Sequence, residues 1–264
     1  MAAAGTTQGA RTYGVALCAV LAAAMLSGCG GRLFGKVYEY EEDLYLSLDG
    51  SADLIINASI PALVALRGFD LDDSPTAQVD RDRIRTLYES PLTDVTRVSR
   101  PWRRDRRRFV QIRLQVSDVR NLSDVAPFAW SRYELTTEGR EVLFRQAVGP
   151  SALRPGTLEN VGWTGGELVA FRLHLPSRIL DHNARDLEKD LPIDVQRGNI
   201  LSWEQHLTDR LDGKPILIQV RMDGESILYR TLWLFFSAFA AAVLLLGVIV
   251  WLTVRKGVRQ RPAA

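Results

Sequence analysis

The sequence predicts an α+β fold: a mainly antiparallel β domain with two or three short helices, followed by one C-terminal transmembrane helix. Three observations carry this. Apolar residues alternate with period two in many short runs, and Asp-Gly, Glu-Gly and Gly-Gly turns separate those runs. The order of the runs shows no strict β-α-β alternation and no internal repeat. A stretch of 24 uncharged residues, 231–254, follows the last strand pattern.

The elements follow in order. Leu44, Leu46 and Leu48 alternate before Asp49-Gly50, and Ala52, Leu54, Ile56 and Ala58 alternate after it. Two such runs around Asp-Gly spell a hairpin. Ser59 can cap a short helix over Ile60–Arg67, with Gly68 as its stop. Residues 69–79 read as loop, and 80–89 as a helix with Ile84, Leu87 and Tyr88 on one face. Residues 95–102 and 109–116 are two strands, the second alternating Val110, Ile112, Leu114 and Val116 with Gln111, Arg113 and Gln115. Residues 118–128 read as helical up to Pro127. Residues 133–137 and Glu141–Val148 form a hairpin around Glu138-Gly139. Gly165-Gly166 precedes a strand over 167–175, and 199–203 and 216–222 are late strands.

The two ends carry targeting signals. Residues 1–28 resemble a secretory signal: Arg11 supplies positive charge, an apolar run covers 15–26, and Leu26-Ser27-Gly28-Cys29 is a lipobox. Cleavage before Cys29 would leave that cysteine lipidated at the N-terminus of a domain spanning 29–230. At about 1.5 Å per residue, 231–254 spans about 36 Å, enough to cross a bilayer core. Trp233 and Trp251 mark its interfaces, and Arg255, Lys256, Arg259 and Arg261 in the tail 255–264 keep the C-terminus cytoplasmic. The expectation is a single-pass protein of the cytoplasmic membrane with its N-terminal domain extracytoplasmic. Nine residues separate Cys29 from Tyr38, so the domain is expected close to the bilayer.

Of 33 basic residues, one lies in the signal and four in the tail, leaving 28 against all 31 acids in the domain, a net charge of −3. The overall +2 therefore says nothing about nucleic acid. With Cys18 in the signal and Cys29 lipidated, the mature domain has no thiol for a disulfide, a thiolate metal site or cysteine catalysis. His174, His182 and His206 show no metal-ligand spacing, and no GxSxG, Walker or GxGxxG motif occurs. No cofactor and no metal are expected. The acidic groups Glu41-Glu42-Asp43 and Asp70, Asp72, Asp73 read as solvated, and Asp181-His182-Asn183 as loop. Trp102, Trp130, Trp163 and Trp203 read as packing residues.

The stretch SRPWRRDRRRFVQ holds Arg100, Arg103, Arg104, Arg106, Arg107 and Arg108 around Trp102, between two strands. Outside the cytoplasm it has no nucleic acid to meet. It reads first as a solvated hairpin tip. The alternative is an arginine patch meeting phosphate headgroups or an anionic glycolipid, with Trp102 at the interface.

Lipobox, β-rich domain, membrane helix and basic tail together resemble the LppM-type bacterial lipoproteins. The hairpin YLSLDGSADLIINASIP and the run FRLHLPSRILDHN followed by RGNILSWEQ are similar to that family's pattern, over 29–256. The arginine hairpin and 186–194 have no counterpart in it. The resemblance implies a domain that binds membrane glycolipid. The expected function is a non-enzymatic envelope lipoprotein binding lipid or glycolipid next to the membrane. Two alternatives stand beside it: a structural or assembly factor acting through envelope proteins, and a hydrolase using carboxylates such as Asp70, Asp72 or Asp181.

Overall fold

The computed structural model describes residues 35–76, 78–153 and 161–259, with side chains to Arg255. Residues before Tyr38 form a unit of their own, of which 35–37 are described and hold no regular element. The signal peptide and Cys29 lie outside the described residues, as does Arg261.

From Tyr38 on, period-two alternation builds two sheets. The larger has the order β10-β8-β1-β2-β5-β3. Here β1 is Tyr38–Leu46, β2 Ala52–Ser59, β3 Thr93–Val98, β5 Arg107–Val116, β8 Leu168–His174 and β10 Ile200–His206; the short β4, Trp102–Arg104, pairs with β5. The smaller sheet has the order β6-β7-β11-β9, with β6 at Ser131–Glu138, β7 at Glu141–Val148, β9 at Ser177–His182 and β11 at Ile216–Ser226. Every pairing is antiparallel except β1 with β8. The hairpin around Asp49-Gly50 forms as its spacing predicts: Gly50 takes φ +99°, and Asp49 Oδ1 accepts from Ser51 N at 2.9 Å.

Even-numbered residues of β1, β2 and β5 face inward. Leu44, Leu54, Ile56, Ile112 and Leu114 meet Tyr133, Phe144, Val220 and Met222 of the smaller sheet in one core. The helix α1, Ile60–Arg67, starts at Ser59, whose Oγ accepts from Ala62 N, and ends at Gly68 with φ +70°. The helix α2, Arg81–Tyr88, is capped by Asp80 and buries Ile84 and Tyr88. Residues 118–128 resolve into 3-10 turns, Val119–Asp124 and Ala126–Phe128.

Two sequence expectations need correction. Asp181-His182-Asn183 is not loop, because Asp181 and His182 close β9, paired with Arg221 and Val220. Asn183 continues this edge and accepts from the indole of the buried Trp203 at 3.0 Å. The second is Glu41-Glu42-Asp43, which is not solvated loop but the middle of β1, with Glu42 buried. A short helix α3, Leu207–Leu211, has no periodic signal at its length. It carries the fully buried Arg210, which donates to the carbonyls of Gly149 and Lys214. Burial, helped by nearby Arg67, pushes that guanidinium down to about 10, so it stays charged at neutral pH.

The last helix, α4, Ile227–Arg259, continues from β11 with no linker, and its span Ile227–Arg255 is long and apolar enough to cross a membrane. It begins four residues before the apolar stretch read from the sequence. Trp233 and Trp251 are exposed on it, and Arg255 lies 5.2 Å from the Trp251 ring centre. Lys256 and Arg259 extend the same helix.

Glu42 joins the layers. Its carboxylate accepts from Arg67 of α1 at 3.0 Å, Tyr40 at 2.7 Å and Gln146 of β7 at 3.1 Å, with the Tyr133 hydroxyl of β6 at 3.4 Å. Arg67 also lies 3.8 Å over the Trp130 ring and donates to Pro127 O. Burial drives the Tyr40 and Tyr133 phenols well above their ordinary values, so both stay neutral donors. We predict that Arg67→Met, which leaves Glu42 buried without its cation, costs about 3 kcal/mol or more. Urea denaturation of the full chain in detergent measures this, and a loss below about 1 kcal/mol would contradict the account.

Candidate functional site: the arginine-rich hairpin

The arginine run is a tight β-hairpin. Trp102 pairs with Phe109, Arg103 with Arg108 and Arg104 with Arg107, so the turn is Asp105-Arg106 alone. Both turn residues have positive φ, +48° and +62°, the backbone of a type I′ turn. Asp-Arg is not the Asn-Gly signature of such a turn, and the sequence therefore gives no register for this hairpin.

Pairing sorts the arginines by parity. Arg107 is almost wholly buried, on the face of β5 opposite to its core-facing even-numbered residues. Its Nε donates to Glu39 Oε1 at 2.9 Å, its Nη1 to Gly162 O at 2.7 Å, and its Nη2 lies 3.8 Å from Glu167 Oε1. Glu39 also accepts from Trp163 Nε1 at 3.2 Å. Glu167 in turn accepts from the backbone N–H groups of Thr164 and Gly165 at 2.8 and 2.9 Å, fixing that loop over the hairpin. Arg108 is buried on the other face and donates to the carbonyls of Asp72 and Ser74; burial lowers its pKa. Arg104 donates to Tyr38 O and lies 4.3 Å from the Phe109 ring centre, on a ring that Trp102 also stacks against at 5.9 Å. Arg103 is exposed and donates to Pro75 O at 3.0 Å.

The hairpin is thus neither a solvated tip nor an open patch of six arginines. Arg104, Arg107 and Arg108 fasten it to β1 and to the 72–75 loop. Arg100, Arg103 and Arg106 are exposed with Trp102, which is 39% exposed. Glu39 and Glu167 escaped the sequence reading, since nothing in a lone Glu signals burial. The readable hint was the alternation of β5, which extends back to Arg107 and puts it in a strand.

Position matters as much as pairing. Arg104 and Arg107 touch Tyr38 and Glu39, at the start of β1. The root of α4 lies at the other end: Ile227 N donates to the carbonyl of Pro176, just past the end of β8, where His174 pairs with Tyr45 of β1. Nine residues of β1 separate the two, about 26 Å. The hairpin therefore stands a strand length from the place where the apolar helix starts, not beside it.

Several of the remaining polar candidates are engaged, while Asp181 is exposed with no ion pair among the described residues. Arg172 bridges Glu41 at 2.7 Å and Asp43 at 3.5 Å, and His174 stacks on Tyr45 at 3.8 Å. Asp70 meets Arg83 at 2.7 Å, and Asp72 accepts from Ser74 N at 2.9 Å.

Burial, the largest influence, raises the Glu39 carboxyl above its ordinary value, against the pull of Ser59, Arg107 and Trp163. A raised folded-state pKa means that ionisation costs stability as pH climbs through it. Arg107→Gln removes a group that holds the value down, so we expect a loss of about 3 kcal/mol that widens between about pH 5 and about pH 8. Arg106→Gln should stay within about 0.5 kcal/mol of the parent. Urea titrations at both pH values check this. Equal losses for the two variants, or no widening, would contradict it.

No protein-family model matches the chain, and no curated protein does. The NMR structure of the folded domain of LppM from Mycobacterium tuberculosis is similar to it at 12% sequence identity, covering 73% of this chain and 94% of that one, with a TM-score of 0.37. This is a distant structural relation, and it assigns neither a family nor a ligand.

Proposed function

We propose that this chain is a non-enzymatic envelope lipoprotein, held in the cytoplasmic membrane by α4 and by lipid on Cys29, whose extracytoplasmic domain binds lipid or glycolipid next to the bilayer. One observation carries the reading. The span Ile227–Arg255 has no part of its most apolar window buried among the described residues, and it leaves the domain directly from β11. An exposed apolar surface of that length requires a bilayer. The missing linker holds the domain against the headgroups. Basic residues Arg255, Lys256, Arg259 and Arg261 after the span favour a cytoplasmic C-terminus. The ion-paired state of Glu39, Glu41, Glu42 and Asp70 supports a structural use of carboxylates over a hydrolytic one.

A second reading, an assembly factor acting through envelope protein partners, draws on exposed Trp102 with Arg100, Arg103 and Arg106 at the end far from the helix. A crosslinking pull-down that returns one stoichiometric partner, lost in Trp102→Ala, would favour it.

The main reading predicts that the full chain stays in the pellet when bacterial membranes are washed with alkaline carbonate. Palmitate labelling should be present and should vanish in Cys29→Ala, while that variant remains in the pellet through α4. Release of the parent chain into the wash would contradict membrane anchoring, and unlabelled parent would contradict lipidation.

A further inference from the structure

The cleft at the root of α4 points to a specific ligand. It arises where the register of β11 against β9 breaks. Met222 pairs with Ile179 and Ser226 with Ser177, so four steps along β11 are matched by two along β9. Asp223, Gly224 and Glu225 lie opposite Arg178 alone, a surplus of two residues that forms a bulge. Gly224 N donates to Arg140 O at 2.7 Å, and a Cβ at 224 would lie 2.8 Å from that oxygen, so only glycine lets the β6–β7 turn come this close. The space left between bulge, turn and β9 is about 620 Å³, within the range of small-ligand sites.

Its charges are unevenly matched. Each carboxylate that lines it has a cation: Asp223 and Glu225 share Arg230, each at 3.0 Å, and Glu141 lies 3.4 Å from Arg221. Two lining cations, Arg140 and Arg178, are exposed and meet no acceptor among the described residues. The three lining arginines balance the three lining carboxylates, and the two side chains left without an ion-pair partner among the described residues are both arginines.

A second, apolar groove of about 520 Å³ adjoins it, formed by Tyr229, Trp233, Leu234 and Ser237 and sharing Glu225 and Arg230 with the cleft. Tyr229 and Trp233 stand on the first turns of α4, where aromatic rings mark the headgroup level. Leu180, 40% exposed, lines the cleft as well. Polar cleft and apolar groove share Glu225 and Arg230, and side by side they have the two-part chemistry of one amphiphile.

We propose that this site holds one anionic phospholipid of the surrounding leaflet, its phosphate between Arg140 and Arg178 and an acyl chain along the Trp233 groove. The proposal rests on the membrane reading above and names the lipid class and the place. It sets the domain's orientation as well, since a bound headgroup at the cleft draws β9 and the β6–β7 turn onto the bilayer.

The test uses the full chain in nanodiscs of phosphatidylcholine with a minority of phosphatidylglycerol, and native mass spectrometry to read the lipids retained. The tail also attracts anionic lipid, so all chains carry Arg255→Gln, Lys256→Gln, Arg259→Gln and Arg261→Gln. We expect phosphatidylglycerol to be retained over phosphatidylcholine by roughly tenfold, from two cations at the surface. Arg140→Gln with Arg178→Gln should bring the ratio near one at unchanged melting temperature, while Arg103→Gln with Arg106→Gln should leave it alone. An unchanged ratio in the cleft variant, or no preference in its parent, overturns the proposal while the chain remains in the disc. Full displacement by inorganic phosphate overturns lipid as the occupant. A chain that does not enter the discs overturns the membrane reading with it.

Discussion

Glu42 sits where three elements have to meet. It belongs to the central strand pair of the larger sheet, but its oxygens are claimed by Arg67 of α1 and by Gln146 and Tyr133 of the smaller sheet. A carboxylate this deep is tolerated only with its charge compensated and its lone pairs filled. Satisfying it fixes the distance between the sheets and the seat of α1 at once. Tyr40 completes the shell, and its ring packs edge-on against Trp130 at 5.9 Å. Hydrophobic burial supplies the drive for the two sheets to collapse; the Glu42 cluster restricts which faces and which register they adopt.

That registration gives the domain two unlike ends. At the start of β1, buried charge is spent on structure: Glu39, Arg107 and Glu167 lock the arginine hairpin and the Trp163 loop together. At the other end a bulge in β11 opens the cleft, and the chain passes straight into α4. The first end ties down Arg104, Arg107 and Arg108 and leaves Arg100 and Arg106 exposed around Trp102, and the second leaves Arg140 and Arg178 unpaired among the described residues, beside an apolar groove. Six arginines crowd into one hairpin, yet two more, Arg140 and Arg178, lie at the other end and look unremarkable in the chain.

Local signals carried much of the fold. The hairpins around Asp49-Gly50 and Glu138-Gly139, the Ser59 cap, the helix near 80–89 and the apolar span are all near-neighbour effects, and each appears where its residues predict. Pairings between distant segments were not legible. The parallel contact of β1 with β8 joins residues more than a hundred positions apart, and β9 alternates too weakly at an edge to declare itself. The site was hidden for the same reason. Arg140, Arg178 and Arg230 lie on three separate elements, and only the β11 bulge brings them to one cleft. The arginine run misled because charge density in sequence is not exposure in space: Arg107 and Arg108 are both buried.

The central claim is an orientation: cleft end on the bilayer, arginine hairpin a strand length above it. Quenching depth tests it directly. The full chain is reconstituted in liposomes, with a fluorophore attached through Glu138→Cys or Arg106→Cys, and lipids carrying a headgroup spin label are titrated in. The account predicts strong quenching from position 138 and little from position 106, about 26 Å farther along the domain. Equal quenching at both positions, or stronger quenching at 106, would contradict it.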